Sequence, residues 1–257
     1  MAYALITGAS KGIGLAIANE LARRKFDLLL VARSESLLQE IAGQLASEHG
    51  IKTDFMAVDL VETGAAQRIF DWTQQKKYGV QMLVNNAGYG LSGLFEKHAL
   101  TEHTAMMTVN MTALVELTYL YLPQLQQQSK AYILNIGSSA AYQAVPRLSL
   151  YSASKAFVLQ FSRGLHQELR KSSVSVTCVC PGSTDTDFAN RAQIGEKGRK
   201  AAEKVNMTPE DVARQAVEAT LAGKTEVVTG LLNKAGKLMA WLLPKGLVEK
   251  TAGSIYE

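Results

Sequence analysis

Cysteine is nearly missing from this chain: Cys178 and Cys180 are the only two, one residue apart in an apolar run. As strand residues they are expected to point to opposite faces, so no bond between them is expected, and such sparing use fits a reducing cytoplasm. Histidine is scarce too. His49, His98, His103 and His166 are scattered without the spacing of metal ligands, so no metal centre is expected. No apolar stretch approaches the ~20 residues of a membrane span. The N-terminus enters a strand-like run without a charged leader or a cleavage site, which argues against secretion. The formal net charge of +4 is not gathered into a basic run, so no nucleic-acid partner is expected. No proline- or serine-rich linker divides the sequence, and residues 1–257 are expected to form one domain.

What the chain does have is apolar material in a regular order. Hydrophobic residues make up 47% of it, enough for a sizeable core. Runs of strand length at Ala2 to Thr7, Phe26 to Ala32, Thr53 to Val58, Val80 to Val84, Ala131 to Gly137 and Val174 to Cys180 alternate with helix-patterned segments. Glu226 to Thr229 is a candidate for one more. Right-handed crossovers turn such an alternation into an α/β doubly wound parallel sheet of about seven strands with helices on both faces.

The first strand runs into Thr7-Gly8-Ala9-Ser10-Lys11-Gly12-Ile13-Gly14 and then a helix. A glycine turn that opens a helix N-terminus lets a pyrophosphate approach the backbone closely, although the same glycines also suit a mere tight connection. The second strand ends in Val31-Ala32-Arg33-Ser34, where an acid would be expected if a free ribose 2′-hydroxyl were read. Arg33 and Lys11 instead suit a 2′-phosphate, which favours NADP(H) over NAD(H) by about one to two orders of magnitude if each charged hydrogen bond is worth ~1.5–3 kcal/mol. Otherwise they are solvated loop charges, and Ser34 caps the next helix. Asp59-Leu60 follows the third strand, with Asp59 either capping a helix or holding an adenine. Asn85-Asn86-Ala87-Gly88 follows the fourth and suits a ligand crevice or an ordinary turn. Asn110 stands inside the long helical segment Thr101 to Gln128, a poor helix former that needs partners, as a structural tie or as a water-binding member of a site.

Tyr151 and Lys155 lie four apart in a helix-patterned segment, which stacks them on one face. A lysine charge held near a phenol favours its ionised form, so the pair is suited to moving a proton near neutrality. Taken alone, such a pair is equally a helix-surface contact.

Thr7-Gly8-x-x-x-Gly12-Ile13-Gly14, Asn85-Asn86-Ala87-Gly88, Asn110, Ser138, Tyr151-x-x-x-Lys155 and Pro181-Gly182-x-x-x-Thr186 occur together in this order. In register they resemble the short-chain dehydrogenase/reductase family, in its compact single-domain branch, over about the first 190 residues. The resemblance implies a Rossmann-type fold, NAD(P) binding and hydride transfer between nicotinamide and a carbonyl or alcohol. It implies Tyr151 as the proton donor or acceptor, and Lys155 as the residue that grips the nicotinamide ribose and lowers the tyrosine pKa. Ser138 would orient the substrate carbonyl, and Asn110 would hold a water in the proton relay. Gly8, Ser10, Lys11, Gly12, Ile13, Gly14, Arg33, Asp59, Leu60, Asn86, Ala87, Gly88, Tyr151, Lys155, Pro181, Gly182, Thr184 and Thr186 are the expected cofactor contacts. Family likeness also suggests a homodimer or homotetramer built through the long helices.

Beyond Phe188 the likeness becomes generic. Ala189 to Met207 is polar, carries Gly195 and Gly198, and reads as a mobile substrate lid. Thr208-Pro209-Glu210-Asp211 opens a helix with a cap and a first-turn proline. In the tail, residues 231–257, Leu231 to Val248 carries an apolar stripe interrupted by Pro244, suited to packing against the body, a lid or a partner subunit, or to contact with a membrane surface or lipid-like substrate. Three functions are weighed: an NADP-dependent carbonyl reductase or alcohol dehydrogenase, a 3-oxoacyl-thioester reductase docking a carrier near Arg170 and Lys171, and a cofactor-binding scaffold without turnover.

Overall fold

The structure is a computed structural model that describes residues 2–203 and 206–256. Strand β1 (Tyr3–Thr7) leads through the glycine turn into α1 (Gly12–Arg23), β2 (Asp27–Ala32) into α2 (Glu35–His49), and β3 (Thr53–Ala57) into α3 (Ala65–Gln75). Strand β4 (Val80–Asn85) is followed by α4 (Leu100–Met107) and α5 (Ala113–Gln126), and β5 (Ala131–Ile136) by α6 (Ser149–Glu168). After β6 (Val174–Cys180) come α7 (Phe188–Arg191), α8 (Glu196–Glu203) and α9 (Pro209–Leu221), then β7 (Glu226–Val228), α10 (Leu231–Leu242) and α11 (Lys245–Tyr256).

The strands form one parallel sheet in the order β3-β2-β1-β4-β5-β6-β7, the Rossmann-type arrangement expected. Alternation along each strand feeds two cores. Ala4, Ile6, Leu28 and Leu30 face α1, α2 and α9, while Leu5, Leu29, Leu83 and Ile133 face α3, α5 and α6. Strands buried on both sides read as continuous apolar runs, which is why β1, β2, β4, β5 and β6 were visible in the sequence; β3, at the sheet edge, is only half-buried. The winding reverses between β1 and β4, and ligands of open α/β sheets bind outside the strand ends at such a reversal.

Several details depart from expectation. The segment read as one helix from Thr101 to Gln128 is α4 and α5 joined by a π-helical turn, Thr108–Thr112, with Asn110 inside it. Asp59 does not cap α3, whose N-cap is Gly64. Its Oδ1 accepts instead from the Val61 amide at 3.1 Å in a local turn. Ser34 occupies the N-cap of α2 without a side-chain capping bond. Cys178 and Cys180 do not face opposite sides of β6. Residues two apart on a strand share a face, and their sulfurs lie 3.8 Å apart as buried free thiols.

The segment expected as a polar lid contains α7 and α8, with Ala192 and Ile194 buried; its Lys204 and Val205 lie outside the described residues. Thr208 caps α9 as expected, accepting from the Asp211 amide at 3.2 Å. The tail breaks at Pro244, but the apolar side chains of α10 do not pack on the body of the protein. No described helix is long and apolar enough to cross a membrane.

Candidate active site

A cleft of about 810 Å³ opens at the carboxyl ends of β1, β2, β4, β5 and β6. It is lined by all the expected cofactor contacts, from Gly8, Ser10, Lys11, Gly12, Ile13 and Gly14 through Arg33, Asp59, Leu60, Asn86, Ala87 and Gly88 to Pro181, Gly182, Thr184 and Thr186. Ser138, Tyr151 and Lys155 line it as well. Asn110 does not.

The glycine turn is built by contact as much as by flexibility. Gly8 has φ +66°, a left-handed conformation, and a Cβ on Gly14 would lie 2.2 Å from the Gly8 carbonyl oxygen. Asn86, expected to touch the cofactor, spends its side-chain amide on the turn itself, with Nδ2 donating to Thr7 O at 2.8 Å and Gly8 O at 3.1 Å. The Thr7 hydroxyl accepts from the Asn86 and Ala87 amides and donates to Val84 O at 3.2 Å. The end of β4 thus holds the glycine turn in place.

At the start of α1 there is no acidic side chain in the first turn and no side-chain cap on Lys11, so the first amides face the cleft as donors. Lys11 pairs with Asp187 at 3.9 Å and Arg33 with Asp59 at 4.0 Å, both partly exposed. Arg191, which sequence reasoning missed, lies 4.3 Å over the Tyr89 ring and lines the same cleft. Burial first, and the Arg33 charge second, hold its guanidinium below the usual range. Helix-start donors with three cations beside them suit the phosphates of a dinucleotide.

The floor is carried by β5 and α6. Lys155 is buried, and its Nζ donates to Ile136 O at 2.8 Å. Desolvation lowers its pKa to about 8, opposed by the Cys178 and Cys180 sulfurs. The ammonium lies 6.0 Å from the centroid of the Tyr151 ring, which also packs against Phe188 with centroids 5.3 Å apart. Ser138 leaves the end of β5 with its Oγ accepting from the Ala140 amide at 3.1 Å.

Asn110 frames this floor from behind. Its Oδ1 accepts from Tyr89 N at 3.0 Å, and its Nδ2 donates to Tyr89 O at 2.9 Å and Ser154 Oγ at 3.0 Å. Ser154 Oγ in turn donates to Tyr151 O at 2.7 Å. The side chain is thus occupied by protein partners. Asp187, Phe188, Arg191, Asn233 and Ile255 also line the cleft. They come from the region beyond the motifs, where no glycine or catalytic spacing marks them.

Helix-start donors and cations at one end of the cleft face a tyrosine, a lysine and a serine at the other, all at the strand ends of one α/β sheet. The chain belongs to the short chain dehydrogenase family, whose family model matches residues 2–197. It is 38% identical over 186 residues to the very-long-chain 3-oxoacyl-CoA reductase of Anas platyrhynchos, covering 70% of this chain but only 59% of that protein. It is 32% identical to an uncharacterised oxidoreductase of Staphylococcus saprophyticus, over 84% of this chain and 89% of the other. A solved short-chain dehydrogenase from Sphingobium yanoikuyae in complex with NADPH superposes with a TM-score of 0.83 at 29% identity, covering 95% of this chain and 97% of that one. The fold of this family binds a nicotinamide cofactor.

Proposed function

We propose that this protein is an NADP-dependent oxidoreductase, of EC 1.1.1 type, that interconverts a small-molecule carbonyl and its alcohol. The observation that carries the reading is the convergence of Ser138, Tyr151 and Lys155 on one cleft whose other end bears Lys11, Arg33 and Arg191. When bound, the nicotinamide supplies or accepts the hydride. Tyr151 gives the proton to the carbonyl oxygen, or takes it from the alcohol, at its phenolic oxygen. Ser138 donates a hydrogen bond to the same oxygen as charge develops there. Lys155 grips the nicotinamide ribose, and its positive charge favours the ionised phenol. Asn110 acts by positioning Tyr89 and the Ser154 turn under Tyr151. Lys11 and Arg33 hold the 2′-phosphate, Asp59 and Leu60 border the adenine, and Thr184 and Thr186 hold the nicotinamide end.

Residues 1–257 act as one domain in this reading, with 189–207 covering the substrate. Leu100, Met107, Tyr119 and Phe157, exposed on α4, α5 and α6, offer the surface for a homodimer or homotetramer in the cytoplasm. A 3-oxoacyl thioester is the second substrate reading, supported by what the duck protein is named for.

The test is NADPH oxidation with ketones, aldehydes and a 3-oxoacyl-CoA, comparing the native protein with Tyr151→Phe. Loss of the proton donor is expected to lower turnover by ~10²–10⁴-fold with NADPH affinity retained. Unchanged turnover in the variant would overturn the role of Tyr151. NADPH binding without turnover on any carbonyl would favour a scaffold.

A further inference from the structure

Helix α10 sits on the body with its polar side inward. Asn233 Nδ2 donates to Thr229 O at 2.8 Å, and its side chain reaches the cleft. Lys237 pairs with Glu226 and lies 4.9 Å over the Tyr142 ring. The opposite face is apolar and turned outward: Leu231, Leu232, Leu238, Met239, Trp241 and Leu242 are between 49% and 83% exposed. At 100° per residue these six fall on one arc of the helix, and Leu247 of α11 extends the apolar surface, 54% exposed. An ordinary surface helix is oriented the other way, so water is not the natural partner of this face.

The charges around it say what the partner is. Residues 231–250 carry Lys234, Lys237, Lys245 and Lys250 against a single acid, Glu249. Lys234 lies just inside the border of the apolar arc, between Trp241 and Leu238, and Lys245 begins the next helix; both are exposed. An apolar arc edged by lysines, with a tryptophan at the border, matches the interface of an anionic bilayer, which takes the apolar side chains among its acyl chains and pairs the lysines with headgroups. A second copy of the chain would bring like charges together across the same face.

We propose that α10 and the start of α11 form an in-plane docking surface for an anionic lipid membrane. Asn233 and Ile255 belong to these helices and line the cleft, so the docked membrane lies beside one wall of it. The docking does not depend on which reaction the cleft performs.

The test is co-sedimentation of the full chain with vesicles of phosphatidylcholine alone or mixed with phosphatidylglycerol. Binding is expected to the mixed vesicles, weakening as salt rises. Leu238→Glu/Trp241→Glu and Lys234→Glu/Lys245→Glu are each expected to cut the bound fraction by about tenfold or more. Their side chains lie outside the cleft lining. Should a double variant fail to fold, the native protein serves: Trp241 fluorescence is expected to be quenched by brominated lipid in mixed vesicles, against a half-buried Trp72 that is not. No sedimentation of the native protein with the mixed vesicles would overturn the proposal. So would undiminished binding by the folded Leu238→Glu/Trp241→Glu variant. A native oligomer that this variant splits, with no vesicle binding by either, would make the face a contact between copies and overturn it too.

Discussion

Lys155 Nζ donates to the carbonyl oxygen of Ile136 at 2.8 Å, which fastens helix α6 to the end of strand β5 through a buried ammonium. Burying that charge costs free energy, and the lowered pKa of about 8 records the cost.

Lys155→Met is therefore expected to abolish most turnover without lowering stability at neutral pH, where the ammonium is charged and penalised. The unfolded lysine keeps its proton up to about 10.5 and the folded one only to about 8. Between those values the unfolded state binds more protons, so the stability of the native protein rises with pH across the window. Denaturant melts at stepped pH check this. The variant should lack the rise, and a parallel rise in both proteins would contradict the assignment.

Arg33→Ala, and more so Lys11→Ala/Arg33→Ala, should erode the preference for NADPH. Losing charge-assisted contacts worth ~1.5–3 kcal/mol each reduces the NADPH-to-NADH ratio of kcat/KM by about 10–100-fold. An unchanged ratio would mean that Arg33 answers only to Asp59.

Gly14→Ala should be among the most damaging small changes. The new methyl would sit 2.2 Å from the Gly8 carbonyl oxygen and 2.4 Å from Asn86 Nδ2, so the turn or α1 must shift. Overpacking of this kind costs ~1–3 kcal/mol. Weaker NADPH binding is expected alongside a lower Tm, whereas Gly43→Ala, with nothing near its added Cβ, should change neither for the worse.

Asn110→Ala removes an acceptor from Tyr89 N and donors to Tyr89 O and Ser154 Oγ. Buried groups left unpaired cost ~1–3 kcal/mol each, so stability should fall by a few kcal/mol. Because Asn110 is bonded to Ser154, whose hydroxyl donates to Tyr151 O, kcat should drop while KM for NADPH stays near its native value. An equal loss in both would point to a role at the cofactor.

The fold was legible because five strands buried on both faces leave nearly uninterrupted apolar runs, and the cleft because its glycines and polar groups sit at the strand ends. Other features carry no such mark. The π-helical turn at Asn110 inserts one residue per turn without any change in composition, so the segment reads as a single helix. Asp187 meets Lys11 of the glycine turn, and Arg191 the Tyr89 ring, only after the chain has folded back from β6. The stripe on α10 showed its periodicity in sequence, but periodicity gives two faces and not which one turns outward. Cys178 and Cys180 share a face because side chains on a strand alternate with a period of two, so residues two apart meet.

Asn233 meets Gly182 so closely that a Cβ on the glycine would lie 2.1 Å from its Oδ1. Gly182 lies within residues 2–197, the stretch that matches the family, and Asn233 lies beyond it. A chimera joining that stretch to another relative's C-terminal part would lose the stopper behind the loop. Exchanging substrate preference between relatives therefore calls for the two segments to be transplanted as a matched pair.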